Sequence, residues 1–125
     1  FTTDGDVFGG FYNVAVTKQN DWSFNDPNLF IFSFESHGRC MTPQKFMAKY
    51  KKSKVYVYFY KGNSDGRFVN CGGYPGCFFL GNEKSKTWCN ELSLGFEGIE
   101  DTTLTGKSGS GNPFFCARIV AVQLQ

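Results

Sequence analysis

The sequence predicts an all-β fold with minor helix, arranged as a two-sheet antiparallel β-sandwich. Three observations carry this expectation. Apolar runs of strand length alternate with clusters of Gly, Asn, Ser and Asp at short intervals. No stretch sustains a helical period. Aromatic residues make up 18% of the chain, with 15 Phe, enough to fill a core between two sheets. At 125 residues, with no internal repeat, linker or low-complexity stretch, residues 1–125 read as a single domain.

The elements follow in order. Thr3-Asp4-Gly5-Asp6 reads as a turn. Beyond it, Phe8, Gly10, Tyr12, Val14 and Val16 fall on one face of an alternating strand. Residues 19–28 are polar, contain Asp26-Pro27 and read as a loop. Leu29-Phe30-Ile31-Phe32-Ser33-Phe34 is apolar on both faces, which predicts a central strand. Ser36-His37-Gly38 turns the chain. Within residues 43–52, Phe46, Met47 and Tyr50 fit a short helical turn with Pro43 near its start, and a kinked edge strand fits nearly as well. Residues 55–60 form a strand, with Val55, Val57 and Phe59 facing one way and Tyr56, Tyr58 and Tyr60 the other. Residues 61–66 are a hairpin connection. Residues 77–80 are a short strand, 82–87 a polar loop and 95–111 a long Gly-rich loop. The chain closes on a long strand in which Phe114, Cys116, Val120, Val122 and Leu124 share one face.

A net charge of +2 is too small to imply a nucleic-acid or membrane partner by itself. No apolar run approaches the ~20 residues of a membrane span. Five cysteines, an odd number, with no signal peptide and no Asn-x-Ser/Thr site, favour free thiols in a reducing compartment, hence the cytoplasm. A secreted domain with two bridges and one odd thiol is the alternative.

Gly106-Lys107-Ser108 resembles the tail of a phosphate-binding loop, but Asp101 stands where that loop needs glycine. Residues 61–66 imitate a calcium loop at Asn63, Asp65 and Gly66, but Lys61 takes the first ligand position and Gly72 the twelfth. Cys71, Cys77, Cys89 and His37 could meet around zinc, although buried cysteines acting as small hydrophobes are the commoner arrangement. His37 and Cys40 are close enough in sequence for a Cys-His nucleophile, and Glu97, Glu100 and Asp101 form an acidic cluster. A turn histidine and a solvated acidic loop are the simpler meanings. No catalytic residue, cofactor or metal is assigned, and the chain reads as a binding module rather than an enzyme.

The strongest charge feature is basic. Lys45, Lys49, Lys51, Lys52, Lys54 and Lys61 run beside Phe46, Tyr50, Tyr56, Tyr58 and Tyr60. Basic groups neutralise phosphates and rings stack on unpaired bases, so residues 45–61, with Lys49, Lys51, Lys52 and Lys54 at their centre, are a candidate nucleic-acid or anionic-lipid surface. The structural alternative is an edge strand protected by lysines beside a half-buried tyrosine face.

Several fragments taken together resemble the TLDc domain of oxidation-resistance proteins and several Rab-GAP-like relatives. Asp4-Gly5-Asp6-Val7-Phe8-Gly9-Gly10-Phe11 is similar to that family's Asp-Gly-x-x-Phe-Gly-Gly segment. Asn28 through Phe34 resembles its Phe-Leu-Phe-Ser-Leu strand at a matching separation, and Cys89-Asn90-Glu91-Leu92-Ser93-Leu94-Gly95-Phe96 resembles a segment of protist-type members. Leu104-Thr105-Gly106 and residues 114–124 match the closing loop and strand. The resemblance covers the chain in order. It departs at Ile119-Val120-Ala121-Val122, where the family usually carries an acidic residue, and it lacks the family's N-terminal helix and strand. What it implies is a sandwich that binds a protein partner, in several relatives subunits of the vacuolar proton pump (V-ATPase), and protects against oxidative stress. Asp4, Gly5, Phe8, Gly9 and Gly10 are the positions carried over. The two glycines also make sense as structure, since glycine in a strand allows a bulge or a close backbone approach.

Overall fold

The computed structural model describes residues 1–24, 26–49, 56–62, 66–73, 76–82 and 87–124. Its strands are β1 (Val7–Phe11), β2 (Trp22–Phe24), β3 (Phe30–Glu35), β4 (Gln44–Met47), β5 (Tyr56–Phe59), β6 (Arg67–Gly72), β7 (Cys77–Gly81) and β8 (Trp88–Asn90), followed by a single helical turn, α1 (Leu92–Gly95). Among the described residues the strands form a three-stranded sheet, β1-β3-β4, and a five-stranded sheet, β2-β5-β6-β7-β8, antiparallel throughout. The fold is the expected all-β, two-sheet sandwich.

Strand alternation sets the core. From the three-stranded sheet, Phe8, Ile31 and Phe46 point inward; from the five-stranded sheet, Cys71, Phe78 and Cys89 do so. Phe8 bridges the layers, its ring edge-on to Phe78 at 5.3 Å and to Phe114 at 5.4 Å. The segment after β8 closes one side with Leu92, Phe96, Ile99, Leu104 and Phe114. Each fully buried ring or aliphatic side chain contributes roughly 1.5–3 kcal/mol. The same segment covers the outer edge of β4: Lys49 N–H donates to the Gly95 carbonyl and Glu97 N–H to that of Met47. An exposed strand edge is thereby protected.

The structure corrects several expectations. The first strand stops at Phe11 rather than running to Val16, because the buried Asp26 carboxylate accepts from the Asn13 and Asn28 amides and draws the chain away from β3. Within the expected loop 19–28 lies β2, paired with β5. Residues 44–47 adopt the edge-strand alternative. Strands β6 and β8 and the turn α1 had no counterpart in the sequence reading. The expected closing strand is absent. Isolated bridges, Thr87 with Phe114 and Thr2 with Cys116, and backbone hydrogen bonds between Phe1 and residues 117–118 tie that region down, and residues 117–124 lie outside any strand among the described residues. Most of the polar loop 82–87 lies outside the described residues, as does Tyr50. No helix among the described residues is long and apolar enough to cross a membrane.

Candidate functional site

The N-terminal turn is built around Asp6, whose side chain is almost wholly buried. Gly5 makes the turn at φ +93°, a conformation that favours glycine, and its N–H donates to the Thr2 carbonyl. A side chain there would also press against the His37 ring, 3.3 Å from a Cβ placed on Gly5. Asp6 then accepts from Thr2 Oγ1, from His37 Nδ1 at 3.0 Å and from the Arg39 guanidinium. His37 and Gly38 take consecutive positive φ angles, which delivers Arg39 to this carboxylate. Arg39 continues to the carbonyls of Thr103 and Leu104. Beside it, Lys107 Nζ donates to Asp4 at 2.8 Å and holds the Asp4 carboxyl below its ordinary value. These contacts tie residues 2–6, 37–39 and 103–107 into one charged knot. The Asp6 oxygens are taken by Arg39, His37 and Thr2, which makes the knot a clasp between three turns.

The outer face of the three-stranded sheet has a different character. Phe11 stacks on Phe30 at 4.9 Å, Phe30 meets Phe32 at 6.4 Å and Phe32 meets Phe34 at 4.8 Å. Four phenyl rings therefore form a continuous row across β1 and along β3. Phe11, Phe30 and Phe32 are half-buried, and Phe34 is 60% exposed. Met47 lies beside the row, directly across from Phe30 in the ladder, and Lys45 Nζ sits 5.5 Å above the Phe30 ring. The row depends on Gly9: a Cβ there would come within 2.6 Å of Phe32 Cζ, so only glycine leaves room for that ring to lie over β1. Gly10 serves the opposite face, where a Cβ would meet Cys71 Sγ at 2.5 Å.

Protein-family models, curated proteins and solved structures contain no match to this chain. The site therefore rests on its geometry.

Of the motif residues, Phe8 and Gly10 face the core, Asp4 and Gly5 belong to the knot, and Gly9 underlies the ring row. The basic-aromatic stretch 45–61 is divided between the two sheets. Lys45 and Phe46 lie on β4, where Phe46 points inward. Lys49 Nζ donates to the Ser93 carbonyl. Tyr58 and Tyr60 follow on the five-stranded sheet, and Arg67 lies over the rings of Tyr60 and Trp88. Lys61 is exposed, and Lys51, Lys52 and Lys54 lie outside the described residues. Of the other candidates, Asp101 accepts from the Ser93 amide, and Lys107 of the phosphate-loop-like tripeptide pairs with Asp4.

All five cysteines are unbridged. Among the described residues no three His, Cys, Asp or Glu side chains are grouped to hold a metal ion. Burial pushes the thiols of Cys71, Cys77 and Cys89 up to about 12 and raises that of Cys116. A protonated, enclosed thiol is a poor nucleophile. Two shallow depressions, one of about 290 Å³ beside Phe59 and one of about 250 Å³ beside Arg39, fall short of ordinary ligand pockets, which run to ~300–1,000 Å³.

Sequence reasoning missed the ring row because a strand apolar on both faces was taken to be covered on both. It also missed the Asp6 knot, whose partners are 31 and 33 residues away. One signal was present: a Gly-Gly pair in a strand, next to a strand with Phe at alternate positions, leaves open space that a ring can fill.

Proposed function

We propose that this chain is a non-catalytic protein-binding domain that meets its partner through the outer face of the three-stranded sheet. The observation that carries the reading is the contiguous row Phe11-Phe30-Phe32-Phe34, one stacked and two tilted ring contacts, open to solvent at Phe34. Contiguous exposed rings flanked by a polar rim are the usual centre of a protein interface, and aromatic anchors carry much of its binding energy. By resemblance to TLDc domains, the partner is a subunit of the vacuolar proton pump, met in the cytoplasm, and the physiological role is regulation of that pump and protection against oxidative stress.

A second reading, binding of nucleic acid or an anionic surface, is favoured by one contact, Lys45 over the Phe30 ring. One experiment separates the two. The chain and its Phe34→Asp variant are titrated against the purified cytosolic sector of the proton pump and against single-stranded RNA, each at two salt concentrations. The protein-binding reading expects pump binding that changes little with salt and weakens at least tenfold in the variant. RNA binding that collapses with salt, with no pump binding, favours the second reading.

A further inference from the structure

The outer face of the five-stranded sheet carries a second aromatic assembly. Ladder register sets Tyr58, Asn70, Phe79 and Trp88 directly across from one another on β5, β6, β7 and β8. Their chain neighbours Cys71, Phe78 and Cys89 point into the core, so this row points away from it. Tyr58 meets Tyr60 at 4.6 Å, the Arg67 guanidinium lies 6.0 Å from the ring centres of both Tyr60 and Trp88, and Trp88 stacks on Phe79 at 4.4 Å. The four rings and the guanidinium form one half-buried chain of contacts, with Asn70 between Tyr58 and Phe79. Asn70 is 1% exposed, and among the described residues no group donates to its Oδ1. A buried acceptor without a donor is costly, and it calls for a donor that the chain itself does not supply. Among the described strands of this sheet Arg67 is the one charged residue, and the exposed Lys61 follows Tyr60.

We propose that this face binds single-stranded nucleic acid, with bases stacked on the rings and a base N–H donating to Asn70 Oδ1. Every base offers a flat π-face and an N–H on its pairing edge, which are the two features that the rings and the amide oxygen match. The base edge reaches Asn70 between the half-buried rings of Tyr58 and Phe79. Outward rings on a four-stranded sheet commonly hold two or three bases. The four strands β5 to β8, at ~4.8 Å spacing, set Tyr58 and Trp88 roughly 14 Å apart, which gives that many bases room. Arg67 and Lys61 supply positive charge for the phosphates, and the strands of this sheet carry no carboxylate among the described residues. That balance favours a phosphate-bearing strand over an uncharged sugar, which also stacks on rings. The site is separate from the ring row and from Lys45, both of which belong to the three-stranded sheet, so the inference stands whether or not the pump is the partner.

The test is fluorescence anisotropy of fluorescein-labelled RNA and DNA single strands of about ten nucleotides, titrated with the 125-residue chain and its Trp88→Ala, Trp88→Phe, Asn70→Leu and Lys45→Glu variants. Heparin and a neutral maltooligosaccharide serve as competitors. Both strands are expected to bind, because rings and amide meet the base. With only Arg67 and Lys61 at the phosphates, affinity should fall roughly three- to sevenfold for a fourfold rise in salt, a shallower loss than a lysine patch gives. Trp88→Ala is expected to weaken binding about tenfold or more, and Trp88→Phe to restore most of it. Asn70→Leu removes an acceptor that no described group uses, so it should keep the unfolding midpoint while weakening binding about three- to tenfold. Absence of binding overturns the inference, as does displacement of the strands by the maltooligosaccharide. Heparin that competes as well as an unlabelled strand would show that charge alone is read, and loss of binding in Lys45→Glu but not in Trp88→Ala would move the contact to the other sheet; either result overturns it. Wild-type affinity in a folded Asn70→Leu overturns the role of the amide.

Discussion

Gly9 and Phe32 face one another across the β1–β3 pair, and the Phe32 ring occupies the space that a side chain on Gly9 would need. Because Phe32 is itself held between Phe30 and Phe34, it cannot tilt away freely. Gly9→Ala is expected to destabilise by about 1–3 kcal/mol, as overpacking does. In a Phe32→Ala background the same change should cost at least ~1 kcal/mol less, because the clash is gone. Urea unfolding of the four proteins measures the coupling. Additive costs would show that Gly9 is required for some reason other than the ring.

The two acidic residues of the N-terminal turn should behave very differently. Asp6 is buried and holds Arg39, whose side chain is 28% exposed. Asp6→Asn leaves that guanidinium with carbonyl acceptors but no carboxylate and is expected to cost roughly 2–4 kcal/mol, somewhat below the range for a fully enclosed pair. Asp4 pairs with Lys107 at the surface, where solvent screens the pair, and Asp4→Asn should change stability far less than Asp6→Asn. Equal effects in a denaturant series would contradict the assignment of Asp6 as the centre of the clasp.

The buried thiols give the fold an alkaline limit. Cys71, Cys77 and Cys89 move from an ordinary value of 9.0 to about 12 on folding. Between those values the unfolded chain has lost protons that the folded chain keeps, so stability falls as pH rises. The contribution is complete below pH 9 and is lost progressively between about 9 and 12, at up to ~1.4 kcal/mol per pH unit for each thiol. Urea midpoints at pH 8, 9 and 10 should decline, most steeply across the last interval. A flat profile would mean that these thiols are not enclosed. Alkylation at pH 8 should likewise be slow at these three positions.

Local pattern made some of this legible and left other parts hidden. The run Phe30 to Phe34 announced a central strand, and β3 lies between β1 and β4. Periodicity reports that both faces are apolar; it does not report what covers them, and here the outer face stays open. Strand β6 contains Asn70 and ends in Gly72, residues that weaken a propensity argument, yet it forms because β5 and β7 pair on either side of it. The opposite happened at residues 119–124, where β-branched residues predicted a strand and no strand among the described residues pairs with them. The turn at Asp4-Gly5 was readable from local chemistry. The clasp that gives it a purpose was not, since His37, Arg39 and Lys107 reach it only through the fold.

Binding of the chain to the isolated cytosolic sector of the proton pump, compared between wild type and Phe34→Asp, tests the central claim most directly. The account predicts binding at both salt concentrations, weakened at least tenfold by the substitution, while the variant still unfolds cooperatively, since Phe34 is 60% exposed and its loss removes one ring contact. Equal affinity for the two proteins would contradict the ring row as the binding surface, and no binding by either would contradict the pump as the partner.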